Sequence, residues 1–391
     1  MTKKIKVAVV YHILAHYREP IFHLMSAQDS QVEYTFFSDS VNENNSVKPI
    51  DPAKADIPVS EGGIRWRFLK NYWFKNFLWQ KGLVKLSCSK EFDAIIYLGV
   101  VYSISTWISA IIARIKGKGV FMWSHGFIRD EKGFKGWLRK TFYKLADCML
   151  LYHERAKEIM ARKGFKPGNL YVIYNSLDYD IQVKIRKALD RQKIDAHRNE
   201  LFKNPDFPVL LFIGRLTPQK KLFMIIEAAA ILKEAGRKCN ILFVGTGPEK
   251  DKLSDLAKSL GLDDCVCFYG DCYEEEKIGL LIGLSDICIA PGEVGLTCMH
   301  SLVYGTPVIT HDNPDFQMPE YEAIKPGFNG EFFVKDDTQS LADSIDKWLS
   351  ENKDNSQVAE NCYKIIDDYY NPRYQLQVIN RAVEEWSAKG V

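Results

Sequence analysis

Several things are scarce in this chain of 391 residues. No segment repeats at a period of 20–50 residues and no tract is of low complexity, which excludes solenoids, propellers and long disordered arms. The nine cysteines show no metal-ligand spacing. Cys265 and Cys267 alternate within an apolar strand pattern, CVCFYG, and Cys88, Cys148, Cys239, Cys288, Cys298 and Cys362 stand in apolar patterns that read as core. The opening MTKKIKVAVVYH runs straight into a strand, without the apolar core or cleavage site of a secretory signal. An odd cysteine count in that setting points to a reducing, cytoplasmic compartment.

Net charge is also nearly absent, +2 from 52 Lys+Arg and 50 Asp+Glu, but it is unevenly divided. Residues 1–200 carry 33 basic and 20 acidic side chains, a net of +13; residues 201–391 carry 19 and 30, a net of −11. The first half therefore expects an anionic partner such as a membrane surface, a phosphorylated lipid or a nucleic acid; two lobes that attract each other would also explain it. No nucleic-acid recognition motif is present. One run, Ala94 to Ala113, has twenty residues without a charge, long enough to span a bilayer. It is broken by Gly99 and by Ser103, Ser105, Thr106 and Ser109, and reads as a buried strand over 94–98 followed by a helix.

What is present is alternation of strand and helix. A chain of this length exceeds one hydrophobic core, and 46% hydrophobic with 26% charged residues is globular. The near-continuous apolar runs 5–10, 32–37, 94–98, 119–123, 149–152 and 171–174 predict parallel strands covered on both faces. Helices are predicted over 18–27, 74–90, 103–116, 134–146 and 154–163. A polar stretch follows, and then strands at 209–213, 240–244, 266–269, 287–290 and 308–310. Their helices fall at 222–235, 249–260, 274–284, 296–304 and 340–349, with two more over 357–370 and 373–389. The fold class is α/β with two doubly wound, Rossmann-like domains: residues 1–180, a linker at 181–207, and 208–372.

The densest chemistry lies between Asp286 and Thr310, DICIAPGEVGLTCMHSLVYGTPVIT. A strand, a turn at Pro291-Gly292 and a helix from about Gly295 aim unpaired backbone N–H groups at one point. The helix dipole favours an anion there by up to ~2 kcal/mol. In LLFIGRLTPQKKLFMIIEAA, a strand ends at Gly214, and Arg215 and Lys220 occupy the link to the next helix. Arg forks across two phosphate oxygens and Lys adds a point charge. A third turn, Gly245-Thr246-Gly247-Pro248, follows another strand. Three such turns in one domain point to a diphosphate clamp that needs no metal.

These residues carry a resemblance. GRLTPQKKLFMIIEAAAILKE, FVGTGPEKDKL, VCFYGDCYEEE and GEVGLTCMHSLVYGTPVIT, in order across 208–335, resemble the donor domain of retaining glycosyltransferases of the GT-B fold, family four, also called glycosyltransferase group 1. SHG at 124–126, ADCMLLYHERAKEIMARKG and YNSLD at 174–178 resemble the family more loosely. The resemblance implies two domains facing across a cleft, with the C-terminal helix crossing back to the first domain. It also implies a nucleotide-sugar donor, no cofactor, and transfer with retention of configuration.

Catalytic roles would fall to His125 beside the reacting sugar and to Arg215 and Lys220 on the leaving diphosphate, where prepositioned cations stabilise developing charge. Donor contacts would come from Gly214, Arg215, Lys220, Gly245, Gly247, Glu293, Gly295, Leu296, Thr297 and His300. The chain departs from the family at two places. The family's paired glutamates, eight positions apart, are here Gly292, with Glu293 displaced by one, and His300. Imidazole can still hydrogen-bond a ribose hydroxyl, and Glu320 or Glu322 could supply a replacement carboxylate. Asp178-Tyr179-Asp180 matches a metal-binding DxD triplet, but it follows YNSL and fits the interdomain link better; no metal is expected.

On the acceptor side, His16, Tyr17 and Arg18 follow the first strand. RWRFLKNYWFKNFLWQKGLVK (65–85) and the helix bearing Trp137, Arg139, Lys140, Phe142 and Lys144 mix aromatic with basic residues. That mixture suits the headgroup region of an anionic membrane, at the inner face of the plasma membrane, and a glycan or polyprenyl-diphosphate-linked sugar as acceptor. The expected activity is a hexosyltransferase building a surface polysaccharide or glycoconjugate. A nucleotide-sugar epimerase or hydrolase, or a non-catalytic nucleotide-sugar-binding protein, remain as alternatives.

Overall fold

The computed structural model describes residues 4–41, 48–351 and 355–389. The chain forms two compact units, residues 1–178 with 371–391, and residues 179–370. In the first unit the order is β1 (Ile5–Ile13), α1 (Glu19–Ala27), β2 (Val32–Asp39), β3 (Trp66–Phe68), β4 (Lys70–Phe74), β5 (Phe77–Lys81), α2 (Leu83–Cys88) and β6 (Ala94–Leu98). Then come α3 (Ile104–Ile115), β7 (Gly119–Ser124), α4 (Gly133–Tyr143), β8 (Cys148–Leu151), α5 (Glu154–Arg162) and β9 (Leu170–Val172). The second unit contains α6 (Tyr179–Ala188), α7 (Arg191–Leu201), β10 (Val209–Ile213), α8 (Phe223–Glu234), β11 (Asn240–Val244), α9 (Lys250–Ser259) and β12 (Val266–Gly270). It continues with α10 (Glu275–Gly283), β13 (Ile287–Ala290), α11 (Leu296–Val303), β14 (Val308–His311), β15 (Gly330–Phe333), α12 (Thr338–Glu351) and α13 (Asn355–Asp368). The closing helix, α14 (Pro372–Ala388), belongs to the first unit.

Each unit is built on one parallel sheet. The strand orders are β3-β2-β1-β6-β7-β8-β9 and β12-β11-β10-β13-β14-β15. Strand order therefore reverses beside β1 in the first sheet and beside β10 in the second, and ligands of doubly wound sheets bind outside the carboxyl ends at such points. The alternation along β1 shows why the runs read as continuously apolar. Val7, Val9 and Tyr11 enter the core on one face, and Ala8 and Val10 enter a second cluster on the other. α14 completes the first of these clusters with Val378, Ile379, Ala382, Val383 and Trp386, the three- and four-residue spacing of a helix buried along one stripe. Its start is set by Asn371, whose side chain accepts from the Tyr374 N–H at 2.9 Å, and by Pro372 in the first turn. Trp386 lies so close to β7 that a Cβ on Gly119 would meet its ring at 2.8 Å.

The charge-free run resolves into β6 and α3, and no helix among the described residues is long and apolar enough to cross a membrane. The polar stretch 181–207 is not an open linker. It is mostly the helices α6 and α7, and α6 packs on α10 and α11 within the second unit. β15 is a strand absent from the sequence reading. The largest departure is at 66–81, where the helix predicted from 74 onward starts only at Leu83, preceded by the antiparallel hairpin β4–β5 with Tyr72 opposite Trp79 and Phe74 opposite Phe77. Cys88, read as core, is exposed, and Cys265 and Cys267 are half-buried.

Candidate active site

In the second unit the three turns meet where the strand order reverses. Gly214, at φ 143°, ends β10 and donates to the Val244 carbonyl at 2.9 Å, and Leu216 donates to the Thr246 carbonyl at 2.9 Å. Gly245 lies so near this turn that a Cβ on it would stand 2.1 Å from the Gly214 carbonyl oxygen. The 291–295 turn is stitched to the same place, for Gly292 donates to the Lys220 carbonyl at 3.1 Å and a Cβ on Gly292 would stand 2.2 Å from the Gln219 oxygen. Only glycine permits these approaches. Buried Gln317 braces the turn, accepting from the Val294 N–H at 2.8 Å and donating to Thr310 Oγ1 and the His311 carbonyl, both at 2.9 Å.

α11 then begins at Leu296, with Gly295 as its N-cap and no side-chain cap. Its first N–H groups are left for a ligand or water, while Thr297 Oγ1 donates to the Ile213 carbonyl at 3.1 Å. Lys220 Nζ donates to the Glu293 carbonyl at 3.0 Å and stands 3.7 Å from the Glu293 carboxylate. Arg215 is exposed, and its guanidinium has no partner among the described residues. Gly214, Arg215, Lys220, Gly245, Gly247, Glu293 and Gly295–Thr297 thus belong to three neighbouring turns, with a free guanidinium and an uncapped helix end among them. The arrangement suits an oxyanion.

His300 sits one turn further along α11. Its Nε2 is 2.8 Å from Glu275 Oε1 on α10, and the same oxygen accepts from Tyr304 OH at 2.7 Å and Gln182 Nε2 at 3.0 Å. Burial raises the Glu275 pKa, but the hydrogen bond and charge of His300, with the other two donors, overcome this and hold it at about 2. The carboxylate beside His300 is therefore Glu275, twenty-five residues upstream, while Glu320 is buried under α11. Nothing in the sequence flagged Glu275 or Gln317, since each reaches its partner through the tertiary fold.

The first unit holds a cavity of about 570 Å³ at the carboxyl ends of β1, β6 and β7, where its own strand order reverses. Tyr17, Arg18 and His125 line it; His16 is exposed and does not, and His12 takes a place there instead. Arg18 is 7% exposed. Its Nη1 donates to Tyr11 OH at 3.1 Å, Nη2 to Tyr152 OH and Nε to Tyr17 OH at 3.4 Å, and its carbon lies 5.5 Å from the Trp123 ring centroid. No carboxylate among the described residues forms an ion pair with it. A buried guanidinium held only by phenols keeps an unneutralised charge beside the cavity. His125 packs on Tyr152, with ring centroids 4.7 Å apart, and its Nδ1 is buried without a partner. Burial, reinforced by the positive charge of Arg18, pushes its pKa down to about 4. The ring is thus neutral at physiological pH, with a nitrogen to spare. Among the described residues no three His, Cys, Asp or Glu side chains cluster as a metal site would require.

Two parallel-sheet units with these end-of-strand sites define the GT-B fold. The chain superposes on a glycosyltransferase from Rickettsia africae with a TM-score of 0.71 at 16% identity, covering 99% of this chain and 100% of that one. It superposes on Anabaena HepE, solved in complex with UDP, with a TM-score of 0.69 at 17% identity, covering 98% and 100%. Residues 193–365 match the family model "Glycosyl transferases group 1". It is 26% identical to a putative glycosyltransferase, EpsD, of Bacillus subtilis over 89% of this chain and 87% of the relative. It is also 26% identical to the alpha-D-kanosaminyltransferase of Streptomyces kanamyceticus, over 58% of this chain; that match spans little more than half of the relative, 57%.

Proposed function

We propose that the protein is a metal-independent, retaining glycosyltransferase that moves a sugar from a nucleoside-diphosphate-sugar to an anionic glycan or lipid-linked acceptor, in surface polysaccharide or glycoconjugate synthesis. The observation that carries the reading is the unpaired Arg215 guanidinium beside Lys220 and the uncapped start of α11, all in three turns held together by glycine contacts. Cationic and N–H donors fixed before the reaction stabilise a diphosphate as it leaves, without reorganisation cost. UDP in the Anabaena neighbour supports a uridine nucleotide as the first donor to try. In the first unit, neutral His125 can accept a hydrogen bond from a sugar hydroxyl, and Arg18 supplies the countercharge for a phosphate or carboxylate on the acceptor. Nine free thiols fit a reducing, cytoplasmic setting.

The test is a panel of UDP-, GDP-, ADP- and CMP-sugars, scored by thermal stabilisation with and without EDTA. A ligand at a hundred times its dissociation constant adds ~2.7 kcal/mol. One nucleotide should raise Tm selectively and insensitively to EDTA, and Arg215→Ala should abolish the shift. No shift with any nucleotide would mean that His300, tied to Glu275, marks a lost donor site, and a non-catalytic role would follow. Nucleotide release in the absence of any acceptor would instead favour a hydrolase or epimerase.

A further inference from the structure

The first unit is inverted along one side. α3 buries its small and polar residues, among them Ser105, Thr106, Ser109, Ala110 and Ala113, against the sheet. Its isoleucines point outward: Ile104, Ile108, Ile111 and Ile115 recur at the spacing of one helical face and are 44%, 39%, 45% and 77% exposed. The hairpin β4–β5 is inverted in the same sense. Its polar Gln80 turns inward, 3% exposed, donating to the Tyr11 carbonyl at 2.9 Å and to Asn71 Oδ1 at 3.1 Å. Tyr72, Phe74, Phe77 and Trp79 form two cross-strand pairs on the outer face.

The two elements adjoin, because Leu78 N–H donates to the Tyr102 carbonyl at 3.1 Å and Gln80 N–H to Ser105 Oγ at 3.0 Å. On the other flank of α3, Trp107 packs on Phe142 of α4. There Phe134 and Trp137 stack in solvent, 73% and 59% exposed, with centroids 5.7 Å apart. Of the thirteen exposed large hydrophobic residues among the described residues of the first unit, all but Val41 lie between Phe68 and Trp137, on or beside these elements. A soluble surface scatters such residues singly, and their gathering marks an interaction face.

The charge around the face selects the partner. Segments 65–90, 102–118 and 132–144 carry fifteen Lys and Arg and no Asp or Glu. Arg67, Arg114 and Arg139 are paired with the flanking Glu91, Asp147 and Glu131, whereas Lys70, Lys75, Lys81, Lys85, Lys132 and Lys135 stand exposed. A second copy docked face to face would set like charge on like. A nucleic acid would satisfy the lysines and leave the isoleucines in water. An anionic bilayer answers both features, with aromatic rings and isoleucines entering the headgroup–acyl boundary and lysines meeting the phosphates.

We propose that the outer faces of β4–β5, α3 and α4 form a membrane-docking surface that seats the first unit on anionic lipid. The experiment is co-sedimentation of the full chain with phosphatidylcholine vesicles, with and without 30 mol% phosphatidylglycerol, at ~0.1 M salt; neither donor nor acceptor is needed, so the outcome is independent of the transfer reaction. The wild type should bind the anionic vesicles at least tenfold more tightly than the neutral ones. I108E/I111E and, separately, F74E/F77E should each weaken that binding at least tenfold, with the circular dichroism spectrum and Tm of wild type. Because the two variants lie on different elements, one can misfold without costing the test. A wild-type protein that stays in the supernatant with anionic vesicles overturns the proposal, as does unchanged binding by both variants. So does a wild-type dimer in light scattering that I108E/I111E dissolves, which would give the face to a second copy.

Discussion

Arg215 and Lys220 make a separable pair, and the separation is the sharpest test of the diphosphate clamp. Arg215 is exposed and contributes no hydrogen bond or ion pair to the fold among the described residues. Replacing it with alanine should change stability by no more than ~0.5 kcal/mol. If its guanidinium meets the leaving diphosphate, the same change removes a transition-state donor, worth at least ~2.7 kcal/mol, or about a hundredfold in kcat. Lys220→Ala should cut turnover comparably but should also cost stability, about 1 kcal/mol, because it releases the hydrogen bond to the Glu293 carbonyl. The double variant should lose less than the product of the two factors, since both cations act on one group. The assay is release of nucleotide in the presence of acceptor, with Tm measured on the same preparations. Arg215→Ala turning over within threefold of wild type, at saturating donor, would refute the clamp. A large drop in Tm would instead give Arg215 a structural role that the geometry does not show.

Further outcomes follow from the buried groups. His125 has a folded-state pKa near 4 against an ordinary 6.5, so between those values the unfolded chain binds more protons and stability rises with pH. Acidification from pH 7 to 4 should cost wild type about 3 kcal/mol more than H125N, measured by urea unfolding at each pH; an equal loss in both refutes the buried neutral imidazole. Glu275 runs the other way. Its pKa is held at about 2 against 4.5, so its stabilisation is complete above pH 4.5 and is lost as pH falls towards 2. After allowance for its partial exposure this is about 1–2 kcal/mol, and the gap between wild type and E275Q should narrow below pH 4.5; a constant gap would refute the ion pair with His300. Arg18→Met should raise the KM for the acceptor at least tenfold and leave the donor KM alone; an unchanged acceptor KM would show that the acceptor puts no negative charge in the first unit's cavity.

The parallel sheets were legible because strands such as 5–10 and 209–213 are apolar on both faces, and no amphipathic helix imitates that. The three glycine turns of the second unit were legible because glycine, arginine and lysine sit close together in sequence at the ends of those strands. The hairpin was not. Its period-two alternation is plain once known, but four aromatic members, Tyr72, Phe74, Phe77 and Trp79, point outward while Asn71 and Gln80 join Leu78 on the inner face, so the usual rule assigns its faces backwards. The edge strand β15 was missed because its four residues, GEFF, are flanked by turns and only two of them are buried. The Glu275–His300–Tyr304 cluster unites α10 with α11, and no local pattern links a carboxylate in an acidic run to a histidine twenty-five residues on. The first unit's cavity was half legible: Tyr17 and Arg18 were read from the end of β1, while Tyr11 and Tyr152, which hold the guanidinium, look like ordinary core residues.

The place of α14 in the first unit's core bears on how the chain is made. Synthesis runs from the amino terminus, so β1 to β9 leave the ribosome while Val378, Ile379, Ala382, Val383 and Trp386 are still untranslated. Part of one face of the first sheet is then open: Phe121 lacks the Trp386 ring and the Tyr34 hydroxyl lacks Asn380. Residues 179–370, by contrast, are complete as soon as they emerge, and domains fold as units when they can. The order of maturation is therefore the reverse of the order of translation: the second unit is finished first, and the first waits for the final helix. Until then its uncovered sheet is a target for chaperones and proteases, and a ribosome that stalls before codon 371 releases a protein with one sound unit and one unfinished.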